Sequence, residues 1–133
     1  MSVGLVIVTH GSIGESLVRA AEFILDTSLE DIQCVEVTQI GAELPDTGTI
    51  RDCLVAAENG QGVLVLTDLA CASPSNFVEQ LVQEGSEQFD GLVVSGVNLP
   101  MLLRTWNYRD ETLGSLALRA SEGGQMGIGI RNP

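Results

Sequence analysis

Three short apolar runs, rich in β-branched residues, occur along the chain at residues 3–8, 63–67 and 91–95. Each run is apolar throughout instead of alternating with polar residues, which is typical of strands covered on both faces in a parallel sheet. A weaker run at residues 34–37 contains Glu36, whose charge fits a strand with one wet face near an edge. The pattern therefore predicts four strands.

Helical spacing of apolar residues lies between these runs. Ser12 and Glu15 form a capping-box pattern, and the apolar positions that follow, through Leu25, lie on one helix face. This pattern predicts a helix that ends near Asp26.

Two more helices are predicted at residues 49–58 and from Pro74 to about Gln88, and Pro100 is expected to open a fourth. Ser73 is a natural N-cap and Pro74 a natural first helical residue.

A final strand is predicted at residues 126–130, after two glycines. Such a strand could lie at the edge of the chain's own sheet or be lent to a neighbouring subunit. The alternation of strands and helices predicts a single three-layer α/β domain over residues 1–133, with helices on both faces of the sheet.

Composition supports a globular protein, because 44% of the residues are hydrophobic and 18% are charged. The apolar runs are far shorter than the ~20 residues that cross a bilayer, and the first residues lack the basic segment of a signal peptide. We therefore expect no membrane insertion. Three cysteines without Cys-x-x-Cys spacing suggest neither disulfides nor a zinc site and fit the reducing cytoplasm.

The formal net charge of −12, with no lysine in the chain, argues against nonspecific binding to nucleic acid. The acidity is explained either by solubility or by attraction to a basic surface on another protein.

Polar residues gather where the predicted strands end. His10, the only histidine, follows the first strand, Asp68 follows the third and Asn98 follows the fourth. Ligands of open parallel sheets bind at this edge. If the first and third strands are neighbours, His10 and Asp68 face each other.

An aspartate that holds Nδ1–H of a histidine leaves Nε2 free as a base or nucleophile. Gly11 permits a tight turn, and Ser12 opens a helix whose free N–H groups favour an anion. This combination suggests phosphoryl transfer through a phosphohistidine, with no metal required.

Plainer interpretations of the same residues stay open. A histidine near a strand end is often only a satisfied polar group, an aspartate before a loop can cap a turn, and Ser73 can be no more than an N-cap.

Three stretches resemble the signature stretches of the IIA domain of the mannose family of the bacterial phosphoenolpyruvate-dependent sugar phosphotransferase system. They are VIVTHGSIGESL, VLVLTDLACASPSN and GLVVSGVNLPMLL, and the likeness covers roughly residues 3–108. The resemblance implies a homodimer, a mostly parallel sheet in the order 2-1-3-4 and a C-terminal strand that can cross to the other subunit.

The resemblance also implies roles for individual residues. His10 would accept a phosphoryl group from the histidine-containing phosphocarrier protein and pass it to a IIB component, and Asp68 would orient its ring. Gly11, Ser12 and Ser73 are the expected phosphate-binding residues. No cofactor or metal is expected.

One loop departs from the family pattern. The family typically has Phe-Gly-Gly before the serine that matches Ser73, whereas this chain has Ala70, Cys71 and Ala72. Side chains in place of two glycines restrict the close approach of backbone to phosphate.

The sequence therefore favours a phosphocarrier, a phosphotransferase component in the cytoplasm. Two alternatives remain. One is a regulatory binding module that docks on a target protein, with the phosphorylation state of His10 as a signal, and the other is a phosphoryl-donor subunit of a dihydroxyacetone kinase.

Overall fold

The computed structural model describes residues 2–37, 47–70 and 73–132, and for residues 47, 73–75 and 77 it describes the backbone alone. Four strands and five helices are found in this part of the chain. The strands are β1 (Gly4–His10), β2 (Gln33–Val37), β3 (Val63–Thr67) and β4 (Gly91–Ser95). The helices are α1 (Ile13–Leu25), α2 (Thr47–Ala57), α3 (Ser73–Glu84), α4 (Leu99–Asn107) and α5 (Leu113–Met126).

The four strands form one parallel sheet in the order β2-β1-β3-β4, which confirms the predicted sheet. β1 and β3 are neighbours, with Val8 opposite Thr67. Because β2 and β3 flank β1 on opposite sides, the chain changes direction between β1 and β3. In sheets of this kind the ligand site lies at such a switch point.

Successive residues of each strand point to opposite faces of the sheet, so each central strand contributes to two cores. On one face Leu5 and Ile7 of β1 pack with residues of α1, α4 and α5. On the other face Val6 and Val8 pack with residues of α2 and α3. The three predicted layers are confirmed.

Most predicted boundaries hold within a few residues. β3 and β4 have the predicted bounds, whereas β1 runs two residues further, to His10. α3 ends at Glu84, before the predicted Gln88, because the chain turns at Gly85, where the Phe89 ring packs so closely that a Cβ atom would lie 2.5 Å from it.

The prediction of a strand at residues 126–130 in this chain's own sheet is wrong. Met126 ends α5, and residues 127–132 contain no strand. Exchange of this segment between subunits involves a second chain and stays a prediction.

The two glycines before the predicted last strand, Gly123 and Gly124, lie inside α5, a helix that was not predicted, and allow it to approach α4 closely. A Cβ atom on Gly123 would lie 2.7 Å from the Cβ of Arg104, and one on Gly124 would lie 2.8 Å from the methyl group of Met101. The glycines therefore serve packing between helices, although glycine weakens an isolated helix.

The predicted capping box at Ser12 does not form. Ser12 is the N-cap of α1 by position, but its side chain makes no capping hydrogen bond. Instead, the buried hydroxyl of Thr9 accepts a hydrogen bond from the backbone N–H of Gly14 at 2.9 Å. α1 is thus anchored by the strand that precedes it.

The Thr9→Val substitution should lower the free energy of unfolding by about 1–2 kcal/mol, because it removes the acceptor for a buried N–H without changing side-chain shape. Urea unfolding measures the change. Ser12→Ala is the control and should change this free energy by less than about 0.5 kcal/mol. A larger loss for Ser12→Ala than for Thr9→Val would contradict this assignment.

Candidate functional site

His10 and Asp68 lie side by side at the carboxyl edge of the sheet, as predicted. His10 is the last residue of β1, and Asp68 directly follows β3, the neighbouring strand. The ring Nδ1 of His10 lies 2.9 Å from Oδ2 of Asp68. The backbone N–H of His10 donates to the same oxygen at 3.0 Å.

These two contacts fix the tautomer and the direction of the imidazole. A carboxylate oxygen only accepts hydrogen bonds when ionised, so Nδ1 must carry the proton. Nε2 then keeps its lone pair. The His10 side chain is 48% exposed whereas that of Asp68 is 12% exposed, so the imidazole is accessible and the carboxylate is largely covered.

The pKa of Asp68 lies below its ordinary value. Burial raises this pKa, but hydrogen bonds from the ring and the backbone N–H of His10, together with the charge of the ring, outweigh burial. The carboxylate is therefore ionised at neutral pH and can stabilise a positive charge on the imidazole.

The second oxygen of Asp68 and the hydroxyl of Thr67 are both buried. Within the described part of the chain neither atom has a hydrogen-bond partner. Asp68 therefore acts on His10 through a single oxygen.

The turn between His10 and α1 depends on Gly11, whose φ of +49° lies in the left-handed region that favours glycine. Its N–H donates to the carbonyl of Val37 at 3.1 Å. The backbone N–H of Gly11, which was expected to bind phosphate, is thus already hydrogen-bonded. This bond ties the turn to β2. Ser12 is exposed next to it, and its hydroxyl forms no capping bond.

The second predicted phosphate-binding element, the start of α3, lies beyond the carboxyl end of β3. α3 begins at Ser73, one residue before the predicted first helical residue, Pro74. The side chain of Ser73, and residues 71–72 of the departing loop, lie outside the described residues.

Asn98 lies after β4, as predicted, but its side chain is used within the fold. Its Oδ1 accepts from the backbone N–H of Met101 at 2.9 Å, and its Nδ2 donates to the carbonyl of Gly124 at 3.2 Å. Asn98 therefore caps α4 and links it to α5.

Two exposed apolar residues that lie within three positions of the pair in sequence were not singled out from the sequence. Ile13 follows Ser12 and is 46% exposed, and Leu69 follows Asp68 and is 58% exposed. Exposed apolar side chains next to a reactive group suit contact with a protein surface. Their adjacency to His10 and Asp68 in sequence was the available signal.

The described residues contain no group of three side chains able to hold a metal ion. Nor do they include a helix long and apolar enough to span a bilayer.

Comparison with known proteins gives consistent matches. The family model EIIA-man, described as the PTS system fructose IIA component, matches residues 4–120. The PTS system mannose-specific EIIAB component of Escherichia coli K12 is 30% identical over 96% of this chain. The chain spans 39% of that relative's length.

Solved structures share the fold. The mannose/sorbose specific IIA subunit from Enterococcus faecalis superposes with a TM-score of 0.82 at 24% identity, covering 100% of this chain and 97% of that one. The component EIIA from Streptococcus agalactiae gives a TM-score of 0.78 at 24% identity, with 96% of each chain covered.

The His10→Ala substitution should raise the pKa of Asp68 toward its ordinary value, because the ring hydrogen bond and charge are lost. The rise should be partial, since the backbone N–H at position 10 remains. Carboxyl ¹³C chemical shifts followed through an acid titration measure this pKa. Ser12→Ala should leave it unchanged, and an unchanged pKa in His10→Ala would contradict the role assigned to the ring.

The lowered pKa of Asp68 also makes the free energy of unfolding depend on pH. A depressed carboxyl pKa contributes stability above the unfolded-state pKa and loses it as the pH falls through the folded-state value. The difference in unfolding free energy between wild type and His10→Ala should therefore shrink on acidification below about pH 4.

Proposed function

This chain belongs to the EIIA-man family of phosphotransferase-system IIA components, and we propose that it carries a phosphoryl group on Nε2 of His10. The donor is the histidine-containing phosphocarrier protein, and the acceptor is a IIB component. The observation that carries the proposal is the His10–Asp68 pair, in which a largely covered carboxylate contacts Nδ1 of a half-exposed ring.

The transfer exchanges one N–P bond for another. The lone pair on Nε2 attacks the phosphorus of the donor's phosphohistidine, the donor's N–P bond breaks, and the donor imidazole recovers that electron pair. The proton on Nδ1 of His10 stays in place. Phosphorylation makes the His10 ring more positive, and the ionised Asp68 at 2.9 Å stabilises that charge.

Phosphate oxygens would be held by the start of α1 and the start of α3, where helix dipoles favour anions. Ser12 contributes an exposed hydroxyl that is not used for capping, and Ser73 contributes a second hydroxyl. Since the N–H of Gly11 is bonded to Val37, Gly11 acts in this proposal chiefly by forming the turn that sets Ser12 beside His10.

The partner protein would contact the exposed side chains of Ile13 and Leu69. It would also be attracted by the negative charge of this chain. A net charge of −12 favours encounter with a basic protein. The proposed relay takes place in the cytoplasm, between protein components.

We also propose a homodimer in which the C-terminal segment pairs with the partner subunit. β4 is an edge strand of the sheet, and its Leu92 is 41% exposed. Met126, Ile128 and Ile130 alternate with other residues and are all exposed, which is the pattern of a strand with one apolar face. An unpaired edge beside an uncovered apolar segment favours such pairing.

Labelling tests the phosphoryl-transfer proposal. Incubation with phosphoenolpyruvate and the donor proteins should place an acid-labile phosphate on the wild type and none on His10→Ala. The Asp68→Ala variant should be labelled at least about 10²-fold more slowly than the wild type, because the ring of His10 loses its orientation and its counter-charge.

Arg19→Ala, on the exposed surface of α1, serves as the matched control and should be labelled at the wild-type rate. Absence of label on wild type with an active donor chain would overturn the proposal. Label that forms normally but does not pass to IIB would support the regulatory alternative.

Removal of residues 127–133 should convert the dimer to a monomer, because it removes the segment proposed to cross between subunits. Analytical ultracentrifugation measures the mass. Asp52→Ala, an exposed change on α2, should leave the dimer intact. A truncated protein that remains dimeric would show that the interface lies elsewhere.

A further inference from the structure

A second concave site lies at the opposite edge of the sheet from His10. It is a cavity of about 440 Å³ that reaches Gly4, the first residue of β1, whereas His10 is the last. Seven residues of strand separate the two edges by about 20 Å. The volume lies within the range of small-molecule sites.

The walls of the cavity offer both hydrogen-bond donors and acceptors. Arg109 and Gln33 are half-buried there, and Glu30 and Asp31 are exposed at its rim. Among the ion pairs of the described residues, none involves Arg109, Glu30 or Asp31. These charged groups are thus not neutralised by one another.

The guanidinium of Arg109 is held in place. It donates from Nη1 to the carbonyl of Trp106 at 2.7 Å and lies 3.7 Å from the centre of the Trp106 ring. The carbonyl of Arg109 accepts from the N–H of Val3 at 3.0 Å, which fixes its backbone against the start of β1. Its remaining N–H groups are therefore preorganised donors.

Negative side chains outnumber positive ones at the cavity, where Glu30 and Asp31 stand against the single cation Arg109. The helix dipoles largely offset one another, because α2 and α4 end at this edge whereas α5 begins there, with Leu113 packed against Gly62. The cavity offers one fixed donor, the guanidinium of Arg109, and two carboxylate acceptors. A hydroxyl group both accepts and donates hydrogen bonds, so a ligand with several hydroxyl groups can pair with both kinds of side chain.

We propose that this cavity binds a small neutral polyhydroxylated molecule of about the size of a monosaccharide. Arg109 donates to its hydroxyl oxygens, and Glu30 and Asp31 accept from its hydroxyl groups. The site lies apart from His10, so this binding does not depend on the proposed phosphoryl transfer.

Trp106 is the only tryptophan of the chain and lines the cavity, so its fluorescence reports ligand binding there. Its fluorescence should be titrated with four probes, namely mannitol and glucose as neutral polyols, glucosamine as a cation and glucose 6-phosphate as an anion. Mannitol or glucose should give a saturable change with a dissociation constant of about 1 mM or tighter. Glucose 6-phosphate should bind at least about tenfold more weakly, because the two carboxylates repel its phosphate group.

Variants locate the site. Asp31→Ala and, independently, Glu30→Ala should each weaken polyol binding about tenfold, since each removes a charged acceptor. The matched Asp52→Ala, outside the cavity, should leave binding unchanged. His10→Ala should also leave it unchanged while abolishing labelling, which separates this proposal from the proposed function.

Three results would overturn the proposal. They are no saturable change with either neutral polyol, tighter binding of glucosamine or glucose 6-phosphate than of both neutral probes, or equal loss of binding in Asp52→Ala and Asp31→Ala. Thermal unfolding checks that each variant is folded, and the exposed positions of Asp31 and Glu30 favour this.

Discussion

The parallel pairing of β1 with β3 is the constraint on which the site depends. With Val8 opposite Thr67, the next residues of the two strands bring His10 and Asp68 within hydrogen-bond distance. The same pairing marks the point where the chain changes direction across the sheet. The turn into α1 and the start of α3 therefore lie at the same edge of the sheet as the His10–Asp68 pair.

The end of β1 has two functions because adjacent residues of a strand point to opposite faces. Thr9 points into the core and holds the first turn of α1 through the N–H of Gly14. His10, one residue later, presents its ring at the edge. Since Thr9 takes the capping role, the hydroxyl of Ser12 is not needed by the helix. Asp68 holds the ring and the backbone of His10 through one oxygen, so the ring is positioned relative to the strand itself.

The two edges of the sheet differ in the helix ends and charged groups that lie there. The four helices that follow strands run back antiparallel to them, so they start near the His10 edge and end near the Gly4 edge. α5 follows α4 and runs the opposite way, with Leu113 against Gly62 and Gly127 against Pro100. More helices start than end at the first edge, which supports the proposed binding of phosphate there. The second edge holds Arg109 against the Trp106 ring and carbonyl, beside two carboxylates. The fold thus separates the His10–Asp68 pair from the cavity that reaches Gly4.

The sequence by itself determined the four strands and four of the five helices in the described part of the chain, because continuous apolar runs and helical spacing are local signals. It placed His10 and Asp68 at strand ends, but their pairing also required β1 and β3 to be neighbours, which is a non-local contact. The tertiary structure decided what local signals could not. Gly123 and Gly124 weaken an isolated helix, yet they lie within α5, where the absence of side chains lets α4 approach closely. A Ser-x-x-Glu pattern resembles a cap, yet Thr9 supplies the cap from the strand before it. In both cases a contact between elements outweighed a local preference.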